Sequence, residues 1–300
     1  MKNGRISLVQ ASPALFDKKG TLEIVRHWLV QSKKEGADVA VFPEAFISAY
    51  PRGFTFQSPV GDRKPAGRAL WQRYWEESVN LPGPELELLQ KWCKELNLVL
   101  AIGVVERTRG SLYCTLVYID QEGQYLGKHR KLKPTAAERI IWGEGGAQDL
   151  VSFATPYGQL GGLICWENRM PLARMAMYEQ QVTLYVAPTA DQRDTWFHTL
   201  HHIAAEGRCY VFGVNQFVRK SDYPADLPGI EELAGWPDIM SRGGSCVMDP
   251  MGQLIAGPLW DQEGLLLVDV DQGLITRSRM DFDAAGHYHR PDVFEFRVKE

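Results

Sequence analysis

Cys165 stands in the run Gly161-Gly162-Leu163-Ile164-Cys165-Trp166-Glu167-Asn168, where an apolar, strand-like stretch passes a glycine pair and ends on a thiol. A sulfur at a strand end is held by the scaffold yet reachable, and it attacks an electrophilic carbon once its proton is removed. Such a nucleophile needs a base, a stabiliser of negative charge and a pocket. Glu44 closes a second apolar run, Val41-Phe42-Pro43-Glu44, where a solvated carboxylate is not expected. In an apolar pocket its pKa rises and it becomes a proton shuttle near neutrality; the alternative is a carboxylate capping a turn. The basic run Gly127-Lys128-His129-Arg130-Lys131-Leu132-Lys133-Pro134-Thr135 is either a solvated strand edge or the source of one inward lysine facing an anion. In a strand Lys131 and Lys133 share a face, so spacing does not choose between them. Glu138, seven residues beyond Lys131, is either a second carboxylate that orients the lysine or water, or an ordinary helix or loop residue.

Other signals point away from metals and nucleotides. His202 and Glu206 are four apart on a helical stretch, but there is no HExxH and no third ligand at a suitable spacing. No Walker loop or GxGxxG occurs, so neither a metal nor an organic cofactor is expected. Cys93, Cys114, Cys209 and Cys246 read as small buried hydrophobes.

The elements that must position these side chains alternate without a simple βαβ rhythm. Strands are predicted over Arg5–Gln10, Ala37–Phe42, Leu98–Glu106, Leu112–Asp120 and Tyr125–Arg130, then Val151–Phe153, Leu160–Cys165, Val182–Ala187, Tyr210–Phe217, Ser245–Asp249 and Leu265–Val270. Helices are predicted over Thr21–Glu35, Pro84–Glu95, Pro171–Gln180 and Asp194–Glu206. Hairpins mixed with helix-linked strands imply two packed mixed sheets with helices outside. With no break in composition and no internal repeat, one domain over 1–300 is expected, with a short C-terminal tail from about 272.

A chain of 300 residues buries a sizeable core, and its net charge of −4 gives no global attraction to nucleic acid or an anionic membrane. No apolar run approaches membrane-spanning length and the N-terminus does not read as a signal peptide. Five scattered cysteines without a CxxC pair argue against a disulfide framework and for a reducing cytoplasm.

Taken together, the segments resemble the nitrilase superfamily of carbon–nitrogen hydrolases, in its nitrilase branch. Val41-Phe42-Pro43-Glu44-Ala45 with Tyr50-Pro51-Arg52-Gly53 resembles the family's glutamate motif, and His129-Arg130-Lys131-Leu132-Lys133-Pro134-Thr135 its lysine motif, which selects Lys131. Glu138 falls at the second glutamate, and Cys165-Trp166-Glu167-Asn168 resembles the cysteine motif of nitrile-cleaving members. Gly286-His287-Tyr288-His289-Arg290-Pro291-Asp292 resembles the branch's C-terminal signature, although many members continue well beyond it.

The resemblance implies a four-layer αββα sandwich that forms a homodimer and builds to larger homo-oligomers. It implies hydrolysis of a small-molecule nitrile to its acid and ammonia, with Glu44 as base, Lys131 stabilising the anion, Cys165 as nucleophile and Glu138 assisting. Tyr50, Trp142, Trp166, Thr189 and Trp196 lie near these motifs and are candidate pocket walls. The same triad also serves amidases, N-carbamoyl-amide hydrolases and cyanide dihydratases, and a catalytically silent assembling scaffold is the non-enzymatic alternative.

Overall fold

A computed structural model describes residues 2–299. The chain runs from β1 (Gly4–Gln10) through α1 (Lys18–Lys34) to β2 (Val39–Val41), then α2 (Pro65–Glu76), α3 (Pro84–Leu96), β3 (Val99–Thr108), β4 (Ser111–Ile119) and β5 (Tyr125–Arg130). Next come β6 (Ser152–Thr155), β7 (Gly158–Gly162), α4 (Pro171–Glu179), β8 (Leu184–Thr189), α5 (Asp194–Gly207), β9 (Tyr210–Asn215) and β10 (Phe217–Arg219). β11 (Ile239–Met248), β12 (Leu254–Trp260), β13 (Gly264–Val270) and α6 (Gln272–Ser278) follow.

These strands form two sheets, ordered β13-β1-β2-β3-β4-β5 and β10-β11-β9-β8-β7-β6, with β12 paired to β11. Three neighbours in each sheet are parallel, β1-β2-β3 and β7-β8-β9, and hairpin strands extend them antiparallel. Strand periodicity then separates the layers. Val39 and Val41 face Leu184 and Val186 in a core between the sheets, while Ala40 and Phe42 face outward. That outer face is covered by α1 and α3, whose Val25, Leu29, Leu86, Leu89 and Cys93 recur at helical spacing. The second sheet is covered by α4 and α5, through Ala173, Ala176, Met177, Trp196, Leu200 and Ile203. The result is helix, sheet, sheet, helix: an αββα sandwich.

Local chemistry fixes the ends. Asp17 caps α1 by accepting the Gly20 N–H at 3.0 Å, and Pro84 opens α3, where its missing N–H costs nothing. Three elements go beyond the sequence expectation: α2, whose charged neighbours blur its periodicity; β12, an edge strand with Pro258 inside it; and α6. α6 occupies Gln272–Ser278, inside the C-terminal tail expected from about 272, and no helix or strand follows it among the described residues. The single strand expected over Tyr210–Phe217 is two, divided at Gln216. Among the described residues no helix is long and apolar enough to cross a membrane.

Candidate active site

Glu44, Lys131 and Cys165 each lie within three residues of the end of a strand, β2, β5 and β7. After β2 the chain crosses β3 at Gly103, where a Cβ would lie 2.1 Å from the Pro43 carbonyl oxygen; only glycine lets the Glu44 loop pass. β7 approaches β8 equally closely at Gly162, where a Cβ would lie 1.9 Å from the Val186 carbonyl oxygen, three residues before Cys165. β5 ends at Arg130, so Lys131 and Lys133 do not share a strand face: Lys131 is fully buried, whereas Lys133 is exposed and paired with Glu144. The three loops carry left-handed non-glycine residues, Ala45 (φ 47°), Ala136 (φ 46°) and Cys165 (φ 52°). Each costs about 1–2 kcal/mol, and such strain gathers where a fold holds functional geometry.

Lys131 Nζ lies 2.6 Å from Glu44 Oε1 and 2.6 Å from Glu138 Oε2. The Glu138 carboxylate also accepts the Thr135 N–H at 2.6 Å and the Tyr50 hydroxyl at 2.8 Å. Glu44 is held from behind by the Gln216 amide, which donates to its carbonyl oxygen at 2.7 Å, while its Oε2 is buried without a partner. The Thr189 hydroxyl donates to Cys165 Sγ at 3.1 Å. Glu44, Lys131, Glu138, Cys165 and Thr189 thus meet at one place between the sheets.

One ammonium between two carboxylates cannot neutralise both. Burial raises the Glu44 carboxyl above its usual range, and Lys131 offsets that only in part. Burial alone would lower Lys131, but Glu44, Cys165 and Glu138 outweigh it and hold the ammonium protonated. The Cys165 thiol is pushed up to about 12, first by burial and then by the Glu44 charge, despite opposing contributions from Lys131 and Thr189. Cys165 therefore rests as a thiol, and burial makes the nearby Glu44 carboxylate more basic than a solvated one.

The cluster opens into a cleft of about 370 Å³ lined by Tyr50, Arg52, Glu138, Cys165, Trp166 and Arg193, among others. Trp166 is fixed by its indole N–H, which donates to Asp191 Oδ2 at 2.7 Å. Trp142 does not line the cleft; it packs beneath it, edge-on to Tyr50 at 5.7 Å and beside Lys131. Trp196 is away from the cleft altogether. It sits on the inner face of α5 with Leu200 and Ile203, so its place as a pocket wall is corrected to a place in the core.

Behind the nucleophile is a network that motif reading left unexplained. Glu167 accepts the backbone N–H groups of Ile164 (2.7 Å) and Leu132 (2.5 Å) and faces His129 Nε2 at 2.9 Å. The Asn168 amide donates to the Leu163 and Cys165 carbonyl oxygens, and its own oxygen accepts the Tyr185 hydroxyl. His202 meets Glu206 at 3.4 Å on an exposed helix face, where Glu206 is chiefly engaged by Arg174 and Tyr178. Among the described residues no group of three or more His, Cys, Asp or Glu is arranged to hold a metal ion.

The sequence model of the carbon-nitrogen hydrolase family matches residues 5–280. A bifunctional nitrilase/nitrile hydratase from Lupinus angustifolius is 44% identical over 300 residues, covering 99% of this chain and 86% of that protein. An aliphatic nitrilase from Sinorhizobium fredii is 44% identical over 301 residues, covering 100% of this chain and 97% of its own length. Among solved structures, a CN-hydrolase superfamily protein from Xanthomonas campestris superposes with a TM-score of 0.76 at 17% identity, covering 100% of both chains. In sequence over nearly its whole length the chain belongs to the nitrilase branch of the carbon–nitrogen hydrolase family, and it has that family's fold.

Proposed function

We propose that the protein hydrolyses an organic nitrile to its carboxylic acid and ammonia through covalent intermediates on Cys165. The observation that carries this reading is the buried Lys131 ammonium held between Glu44 and Glu138, with the Cys165 sulfur at the head of the same cleft. Glu44 accepts the thiol proton as sulfur bonds to the nitrile carbon. Negative charge grows on the nitrile nitrogen, Lys131 stabilises it with help from the Trp166 backbone N–H, and protonation gives a thioimidate. Water adds to that carbon, ammonia leaves, and a thioester remains. A second water, deprotonated by Glu44 with Glu138 assisting, releases the acid and restores the thiol. Two moderate barriers replace one high one.

Tyr50, Trp166 and Thr189 complete the substrate cleft, with Trp142 bracing Tyr50. A second reading, partial release of the amide by expulsion of sulfur in place of ammonia, is supported by relatives named bifunctional nitrilase/nitrile hydratase. Assembly into homodimers and larger homo-oligomers is supported by exposed Met170 and Leu172 at the start of α4, and sedimentation velocity tests it. A cytoplasmic setting is supported by five buried, unpaired cysteines.

Ammonia, acid and amide measured from matched nitriles, amides and cyanide test the assignment. Cys165→Ala is expected to stay folded and release no ammonia from any nitrile. Turnover confined to amides, or retained by the folded variant, overturns it.

A further inference from the structure

Lys131, Arg193 and Arg52 are equal in number to the carboxylates Glu44, Glu138 and Asp191 at the cleft, but one of the three cations has no carboxylate within ion-pair distance. Lys131 is shared by Glu44 and Glu138, and Arg193 is engaged by both oxygens of Asp191 (2.8 and 2.9 Å). Arg52 lines the same cleft and makes no ion pair among the described residues. Its one side-chain hydrogen bond goes from Nη2 to the Ala190 carbonyl oxygen, and its guanidinium also lies 5.6 Å from the Tyr50 ring centre. None of its nitrogens is both buried and unpartnered, so the remaining N–H groups are accessible at a residue that lines the cleft.

The Arg52 backbone is fixed as firmly as its side chain. Its N–H donates to the Tyr50 carbonyl oxygen at 2.8 Å, and its own carbonyl oxygen accepts the Tyr223 hydroxyl at 3.1 Å. A guanidinium tethered at one nitrogen, with the others free, keeps its fork aimed and has little rotamer entropy left to lose on binding. A second pocket that Arg52 lines shares Phe56, Ile140 and Ile141 with a groove of about 600 Å³ whose charged lining residues are Arg63, Arg68 and Arg139.

We infer that the cleft is built for nitriles bearing a carboxylate, with Arg52 gripping that carboxylate while the nitrile carbon rests at Cys165. The inference rests on the nitrile-hydrolysing reading above and adds a substrate class to it. Arg52 is a binding residue: it touches no reacting atom, and its contribution is carried in KM.

The test compares isosteric pairs. 3-Cyanopropanoate and 4-cyanobutanoate are the anions; 4-oxopentanenitrile and 5-oxohexanenitrile replace each carboxylate with a neutral methyl ketone of similar shape. Ammonia release should favour at least one anion over its ketone by about tenfold or more in kcat/KM, the scale of a charged hydrogen bond. Arg52→Gln should collapse that ratio about ten- to a hundredfold through KM, and Arg52→Lys should restore part of it. Added salt should depress kcat/KM for the anion and leave the ketone ratio between salts near one. Circular dichroism establishes that the variants fold. A wild-type preference for both ketones, or an Arg52→Gln loss equal for anion and ketone, overturns the carboxylate site and leaves nitrile hydrolysis standing. Ammonia from amides but from none of the four nitriles overturns the nitrile reading itself, and this inference with it.

Discussion

His129 Nε2 stands 2.9 Å from Glu167 Oε2, with both side chains fully buried. The other His129 ring nitrogen meets the Asp149 carbonyl oxygen at 2.7 Å, so both nitrogens face acceptors and the ring is poised as an imidazolium. Through Glu167 this pair reaches the N–H beside Lys131 and the N–H before Cys165. One buried ion pair therefore ties the segment of Lys131 to the segment of Cys165.

The pair makes stability depend on pH in a fixed direction. Burial opposes the His129 charge, but Glu167 outweighs it and raises the pKa above the ordinary 6.5. The stabilisation is fully present below 6.5 and is lost as pH climbs through the raised folded value. His129→Gln should cost about 3–5 kcal/mol at acidic pH, the scale for breaking a buried pair. Thermal melting across pH checks this: the gap between wild type and variant should narrow toward alkaline pH, and a gap that widens contradicts it.

Activity should have an acid limb above the usual carboxylate range. In the proposed mechanism Glu44 acts as base only when ionised, and its pKa is raised above 4.5 by burial, so kcat/KM should increase with pH through that raised value. The thiol, pushed up to about 12, should add no inflection near neutrality. Iodoacetamide alkylation of Cys165, followed by mass spectrometry, should accelerate steadily with pH and show no plateau at the ordinary thiol value of 9.0.

Glu138 and Tyr50 should separate by magnitude. Glu138→Gln removes half of the charge that holds Lys131 and is expected to lower kcat about 100–1,000-fold in a folded protein. Tyr50→Phe removes one hydrogen bond to Glu138 and should cost about tenfold or less. Steady-state ammonia release compares the two, and equal losses would show that Tyr50 does more than orient Glu138.

Gly103→Ala should impair the enzyme without touching any reacting group. Its Cβ would collide with the Pro43 carbonyl oxygen, a backbone atom that moves only if the Glu44 loop moves. A destabilisation of about 1–3 kcal/mol and a disproportionate loss of kcat are expected. Gly110→Ala is the control, since nothing lies within 4 Å of its Cβ.

Much of this was legible from residue order, because strand and helix periods are written in which side chains must be buried. β5 occupies the span expected for it, and α5 differs by one residue. Reasoning from strand faces failed at Lys131 because the strand stops one residue earlier, and a face has no meaning past a strand end. Trp196 was misplaced by its nearness to a motif, although its spacing with Leu200 and Ile203 marks the inner side of a helix. The Glu167 bridge and the unpaired Arg52 had no local signal. Each depends on groups brought together from distant segments, Leu132 and Ile164 for one and Ala190 for the other.

Glu44 and Lys131 follow strands of the first sheet, whereas Cys165 and Thr189 belong to the second, and β13 closes the first sheet beside β1 from the far end of the chain. During synthesis the first sheet stays open at that edge until Gly264–Val270 has emerged. Cys165 meets Glu44 and Lys131 only across the join between the halves, so on the proposed mechanism turnover reports docking of the sheets more directly than any measure of helix or strand content.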